Sequence, residues 1–297
     1  MSFIAETPKI ITLKVPTLND EKADFIRMFG LWQQIKGIET PKVIFDFSGC
    51  YFLRQNAVAF LGGLARLIEA HGGQAIFIWD TLQPDIKQNL AQNGFMYAFG
   101  KNQPGWQGNS VAYREDPNDN IEGILYYLDE QWLGRGWVEI NQTLKDKIIQ
   151  NALEIYSNAF EHGLSNIGVF SCGQRYPSLN ILKLTVIDFG VGIPANVRQF
   201  RQNYTLLAKD ALEWAFQPGK TTRPNRICGG TGLDSLKNFV KSKQGKIEVY
   251  SHDAYGLIDE NQEIYESAAT LFEGTLINIT IKCDITHHNF TQNEVLL

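Results

Sequence analysis

The chain has 297 residues, 44% hydrophobic and 20% charged, with a net charge of −5 at neutral pH; this is globular composition with room for two domains, and it excludes long disordered stretches. The acidic balance, with no basic stripe, argues against nucleic acid as a partner, and no run of about 18 apolar residues is present to span a membrane. Four widely spaced cysteines with no C-x-x-C pair fit neither a zinc site nor a disulfide framework, so a reducing, cytoplasmic setting is expected.

In chain order, residues 1–9 lack a basic region followed by an apolar run, so no signal peptide is expected. Residues 9–15 alternate as a half-buried strand does, and 20–35 carry Phe25, Met28, Phe29 and Trp32 at helical spacing. Short apolar strands at 43–47 and 75–79 flank a strongly apolar helix at 57–70, which His71-Gly72-Gly73 ends. Strand, helix, strand with short connections predicts a parallel βαβ unit. One more helix begins at 86–92, and 111–114 reads as a last strand of this first unit. Turn-rich segments at 101–109 and 116–120 place the boundary between residues 1–115 and 116–297. Beyond it, helices are expected at 121–132 and 144–162, then a strand pair at 168–174 and 181–188 joined at Pro177-Ser178. A helix-rich stretch runs to Phe216, followed by a Gly/Pro/Thr/Arg loop at 217–230, a helix at 233–243, and strands at 246–250 and 275–282. His287-His288 in a polar tail reads as tail rather than as a metal site.

On the 144–162 helix, Ile148, Ile149, Ala152, Leu153, Ile155, Tyr156, Ala159 and Phe160 fill one broad arc. Glu154 lies opposite the middle of that arc, and Asn158, four residues on, projects beside it. Taken alone, this is a solvated helix face. The glycine segments shift the balance. Leu184–Asp188 is an apolar strand that delivers an Asp, then Gly190 and Gly192. A carboxylate at a strand end can accept from an exocyclic amine and reject a base that lacks one, and glycines let backbone approach a ligand. Gly229-Gly230-Thr231-Gly232-Leu233 opens directly into a helix, where free N–H groups suit phosphate oxygens.

Two other motifs fit less well. Gly190-Val-Gly-Ile-Pro-Ala195 matches the loose dinucleotide pattern, but that pattern should follow the first strand of a βαβ unit, and here the strand reads as half of a hairpin. Gly219-Lys220-Thr221 resembles the end of a P-loop, yet Trp214 stands where its first glycine is needed.

The ordered set Glu154-x-x-x-Asn158-x-x-x-His162, Asp188-x-Gly190-x-Gly192, Gly230-x-Gly232-Leu233 and Gly274-Thr275 resembles the GHKL ATPase superfamily over residues 116–285. Within it, Glu154-Ile-Tyr-Ser-Asn-Ala-Phe-Glu-His-Gly163 is most similar to the anti-sigma-factor serine kinases. The resemblance implies a Bergerat-type α/β sandwich with ATP and Mg²⁺ between helices and sheet. It implies that Glu154 is the general base, that Asn158 holds Mg²⁺ and that Asp188 takes the adenine amine. Gly190 and Gly192 would line the adenine side, Gly229, Gly230, Thr231, Gly232 and Leu233 would cap the phosphates, and Thr275 would stand near the adenine. Residues 217–229 would form the lid over the nucleotide. Asp234-Ser235 departs from the family's usual glycine-leucine continuation.

The first half resembles a STAS domain through Val43–Gly49, the helix after it and His71–Ile78. The family's phosphorylatable serine turn reads Arg54-Gln55-Asn56-Ala57 here, and Gln55 cannot accept a phosphoryl group. Such a unit would be degenerate, kept for docking rather than as a substrate; an unrelated small α/β domain is the alternative. The whole is expected to be an α/β protein, a STAS-like domain followed by a histidine kinase-like ATPase domain. Serine/threonine kinase activity on a separate protein, itself a STAS-domain or regulatory protein, is the first reading. An ATP-dependent conformational binding module is the second, and histidine kinase chemistry, which finds no phosphoacceptor candidate, ranks last. The resemblance also leaves room for a homodimer.

Overall fold

The computed structural model describes residues 9–101, 108–220, 232–242 and 245–284. The first half is a three-stranded parallel sheet, β1 (Ile10–Lys14), β2 (Lys42–Asp46) and β3 (Gln74–Phe77), in that order. Helices α1 (Lys22–Ile35) and α2 (Gln55–Ala70) connect the strands, and α3 (Pro84–Gln92) and α4 (Phe95–Ala98) lead onward. The second half is a five-stranded antiparallel sheet. Its strands are β4 (Ser110–Asp116), β5 (Val169–Tyr176), β6 (Ile181–Asp188), β7 (Lys246–Asp259) and β8 (Glu263–Lys282), ordered β4-β5-β6-β8-β7. Its helices are α5 (Ile121–Tyr126), α6 (Gln142–Gly163), α7 (Gly192–Phe200), α8 (Ala208–Ala215) and α9 (Gly232–Ser242). The chain is therefore mixed α/β.

Local chemistry sets the helix ends. The Asn141 side chain accepts from the Leu144 N–H at 2.9 Å and caps α6, and Asn120 does the same for Gly123 and α5 at 3.0 Å. Pro84 starts α3, where its missing N–H costs nothing. Leu164, at φ 54°, ends α6 in the left-handed conformation.

Strand alternation divides the antiparallel sheet into two cores. Leu182, Leu184 and Val186 of β6, with Ile277, Ile279 and Ile281 of β8, face α6, α8 and α9. Ile187 and Leu276, with Phe170 and Tyr250 from the flanking strands, face α1 and α2. The other faces of α1 and α2 pack on Leu13, Val43, Phe45 and Phe77 of the parallel sheet. The result is four layers: parallel sheet, two helices, antiparallel sheet, helices. This explains α2, whose residues from Gln55 to Ala65 are all buried; a helix apolar all round belongs between two layers. Its close approach depends on Gly63, where a Cβ would overlap the ring of Phe189. Aromatic stacking fills the seam: Phe29 lies parallel to Phe272 at 4.6 Å, and Phe25 to Tyr250 at 4.2 Å.

Three expectations are corrected. The strand at 111–114 belongs to the second sheet: β4 pairs with β5 and spans the expected boundary, while the core of α1 and α2 reaches across it. The helix at 121–132 is regular only to Tyr126 and widens into a π-type turn over Tyr127–Trp132. The last two strands are far longer than 246–250 and 275–282, forming one long hairpin. A bulge near Ser251 and His252, with His252 at φ 56°, breaks the alternation that would have announced the continuation. The hairpin turn is closed by Asp259 Oδ1, which accepts from the Asn261 and Gln262 N–H groups.

Candidate functional site

Asp188 ends β6 opposite Thr275 of β8. Its side chain is 3% exposed. Oδ1 accepts from the Gly190 N–H at 2.9 Å, and the Thr275 backbone N–H also donates to the carboxylate. Burial pushes its pKa up to about 7, against the lowering pull of those two N–H groups. A carboxylate offers about four lone-pair sites, so two backbone donors leave it able to accept from a ligand.

The C-terminus of α6 is pinned to this strand end. The Val191 N–H donates to the Gly163 carbonyl at 2.7 Å, and Asn196 Nδ2 donates to the His162 carbonyl at 2.8 Å. A Cβ at Gly190 would overlap the Gly163 carbonyl oxygen, and one at Gly192, at φ 74°, would collide with the Glu273 carbonyl and Ser251 Oγ. The room these glycines leave is thus taken by the protein's own backbone, which welds α6 and α7 to the sheet end. The structure shows this structural need for Gly190 and Gly192, where sequence reasoning had reserved the space for a ligand.

Thr275 is 8% exposed, and its hydroxyl lies 3.1 Å from Ser251 Oγ. Ser251 accepts from the Ile193 N–H at 2.9 Å and lies 3.0 Å from the Gly274 carbonyl. His252 Nε2 donates to the Val191 carbonyl at 2.7 Å. Ser251, His252 and Gly163 therefore hold the loop after Asp188, although sequence reasoning gave them no role. Ser251 and His252 sit where the bulge hides the strand, and Gly163 entered only as the last residue of the segment similar to the anti-sigma-factor kinases.

Glu154 and Asn158 are half-buried on α6. That helix also packs on α7, α9 and β6. Gly232 begins α9, and Leu233, partly buried, packs against the core beneath it. Gly229, Gly230 and Thr231, with most of the expected lid, lie outside the described residues. In the first turn of α9, buried Asp234 Oδ1 makes no hydrogen bond among the described residues and stands 3.7 Å from Lys237 Nζ. Among the described residues no cluster of three His, Cys, Asp or Glu side chains could hold a metal, and no helix is long and apolar enough to cross a membrane.

The dinucleotide alternative loses its structural context, because β6 is antiparallel to both neighbours. Comparison with protein-family models and with curated proteins found no match to the chain.

Proposed function

We propose that the chain binds ATP with Mg²⁺ between α6, the end of β6 with the facing middle of β8, and the start of α9, and acts as a signalling switch resembling the anti-sigma-factor serine/threonine kinases of the GHKL superfamily. On this reading the antiparallel sheet and its helices are a Bergerat-type sandwich, and the parallel unit is a degenerate STAS-like domain. The observation that carries the reading is the buried Asp188 carboxylate, held between two backbone N–H groups with accepting capacity to spare. An adenine amine satisfies it; a base with a carbonyl at that place leaves it unpaired, at a cost sufficient for selection. Asn158 would give an amide oxygen to Mg²⁺, which takes few protein ligands beside phosphates and water. The ion's contribution is to neutralise phosphate charge. Glu154 accepts the proton of a partner's serine or threonine hydroxyl.

A second reading, a nucleotide-dependent binding module, is favoured by the burial of Gln55. At the position corresponding to the STAS serine, Gln55 is 3% exposed. It accepts from the Tyr176 hydroxyl at 2.7 Å and donates to Thr185 at 3.3 Å. The STAS-like unit is thereby committed to this chain's own sheet.

Calorimetric titration with ATP and Mg²⁺ tests both. Wild type should bind saturably, and Asp188→Asn should bind about 10–100-fold more weakly, the value of a hydrogen bond to a charged group. Absence of binding by folded wild type overturns the nucleotide reading. Partner phosphorylation that is lost in Glu154→Ala supports the kinase, whereas ATP-dependent partner binding that survives it supports the module.

A further inference from the structure

A cavity of about 480 Å³ lies where the ends of α1 and α2 meet the end of β6 and the middle of β8. It falls within the range of roughly 300–1,000 Å³ typical of small-molecule sites, and it sits at a junction between two parts of a fold, where such sites concentrate. Neither catalysis nor nucleotide binding, as proposed above, uses it.

Three aromatic rings stand in its wall. Trp32, Phe189 and Phe272 line it, and the Phe272 ring stands perpendicular to both others, at 5.7 Å from Trp32 and 5.3 Å from Phe189. Flat faces and edges thus converge on one space, the arrangement that holds a planar ring by offset and edge contacts. Leu67 closes the α2 side.

The charges at the rim are unequal in availability. Lys36 is paired with Glu273 and lies 4.9 Å over the Trp32 ring, so its charge is already engaged. Glu39 also lines the cavity, and among the described residues it has no ion-pair partner. The spare charge at the mouth is negative.

We propose that this cavity binds a small flat aromatic molecule bearing a cationic amine, the ring between Trp32, Phe189 and Phe272 and the amine toward Glu39. Occupancy is felt at Asp188. Gly274 and Phe189 line the cavity, and each is the immediate neighbour of a residue in the Asp188 hydrogen-bond network. At Gly274 the chain passes so close to the Asp188 carbonyl that a Cβ would overlap it. A ring that displaces this segment shifts the donor that Thr275 offers to the Asp188 carboxylate. The coupling to Asp188 rests on the nucleotide reading; the aromatic site does not.

The full chain without nucleotide is titrated with tryptamine and, in parallel, with indole-3-acetate. Tryptamine should bind saturably at one site, and indole-3-acetate at least severalfold more weakly. Leu67→Trp, which fills the cavity, should abolish tryptamine binding. Glu39→Lys, at an exposed position that leaves folding intact, should weaken it by about tenfold and carries the test if Leu67→Trp does not fold. No saturable tryptamine binding to folded wild type, equal binding of the two probes, or binding indifferent to Glu39→Lys overturns the proposal. The ATP titration is then repeated with tryptamine present. Coupling requires that each ligand change the other's affinity by the same factor, and two independent affinities overturn it. A chain that binds tryptamine but no ATP leaves the aromatic site standing and removes the nucleotide reading alone.

Discussion

Asp188 is a buried carboxylate held by two backbone N–H groups. Its pKa in the folded protein, about 7, lies well above the ordinary carboxylate value near 4. In the pH range between those values the folded state holds a proton that the unfolded state has lost. Stability therefore falls as pH rises from about 4 to about 7 and levels off above, a loss on the order of 4 kcal/mol. Urea midpoints of the nucleotide-free protein should show this slope, and Asp188→Asn, which has nothing to titrate there, should lack it. The proposed adenine binding would run in the opposite sense. On the proposed reading the ionised carboxylate is the stronger acceptor for the adenine amine, so ATP affinity should rise from pH 6 to pH 8 and reach its plateau above the pKa. An affinity that is flat over that range would remove Asp188 from the binding step.

Between elements, the decisive contact is backbone against backbone. Gly190 meets the Gly163 carbonyl so closely that a methyl group has no place, and the obstacle is a peptide group, not a side chain that could swing away. Gly190→Ala must part the end of α6 from the end of β6. The expected result is a loss of about 1–3 kcal/mol, as overpacking costs, and weakened nucleotide binding even though no ligand contact is removed. A variant with unchanged stability and affinity would show that the α6–β6 weld is slack. The same region shows what could be read before the structure. The carboxylate at the strand end, the glycines after it and the polar face of α6 were legible because each has a local pattern: an apolar run, a turn residue, a helical period. The locking role of Ser251 was not, because a bulge at Ser251 and His252 interrupts the alternation on which strand recognition rests. Nor was the true home of β4 legible, since sheet membership depends on partners about 60 residues away. The burial of α2 on all sides could be read as apolar character, but not as a position between two sheets.

At the scale of the whole molecule, the question is what joins the two halves besides apolar packing. Asp20, just before α1, pairs with Lys183 of β6 and with Arg54 at the start of α2, 3.1 Å away. The Lys183 side chain is 4% exposed, and burial pulls its pKa down despite the neighbouring carboxylate. Such a pair adds little over well-packed apolar residues, but breaking it from one side leaves a charge stranded out of water, at about 3–5 kcal/mol. Asp20→Ala should carry that cost and leave two cations facing one another. Adding Lys183→Met, which keeps the buried stem and removes the ammonium, should recover at least half of it, so the two substitutions should be strongly non-additive in urea unfolding. The recovery separates a stranded charge from a merely lost contact, because a lost contact would make the double variant worse than either single one. Circular dichroism and tryptophan fluorescence should follow the same transition in all three proteins. The aromatic seam of Phe25, Phe29, Tyr250 and Phe272 lies in the same core as Ile187 and Leu276, so neither half can shed the other and keep its own interior dry. Two separated transitions in wild type would mean that the parallel unit opens from the antiparallel sheet on its own, and Asp20–Lys183 would then be a latch rather than part of a single cooperative fold.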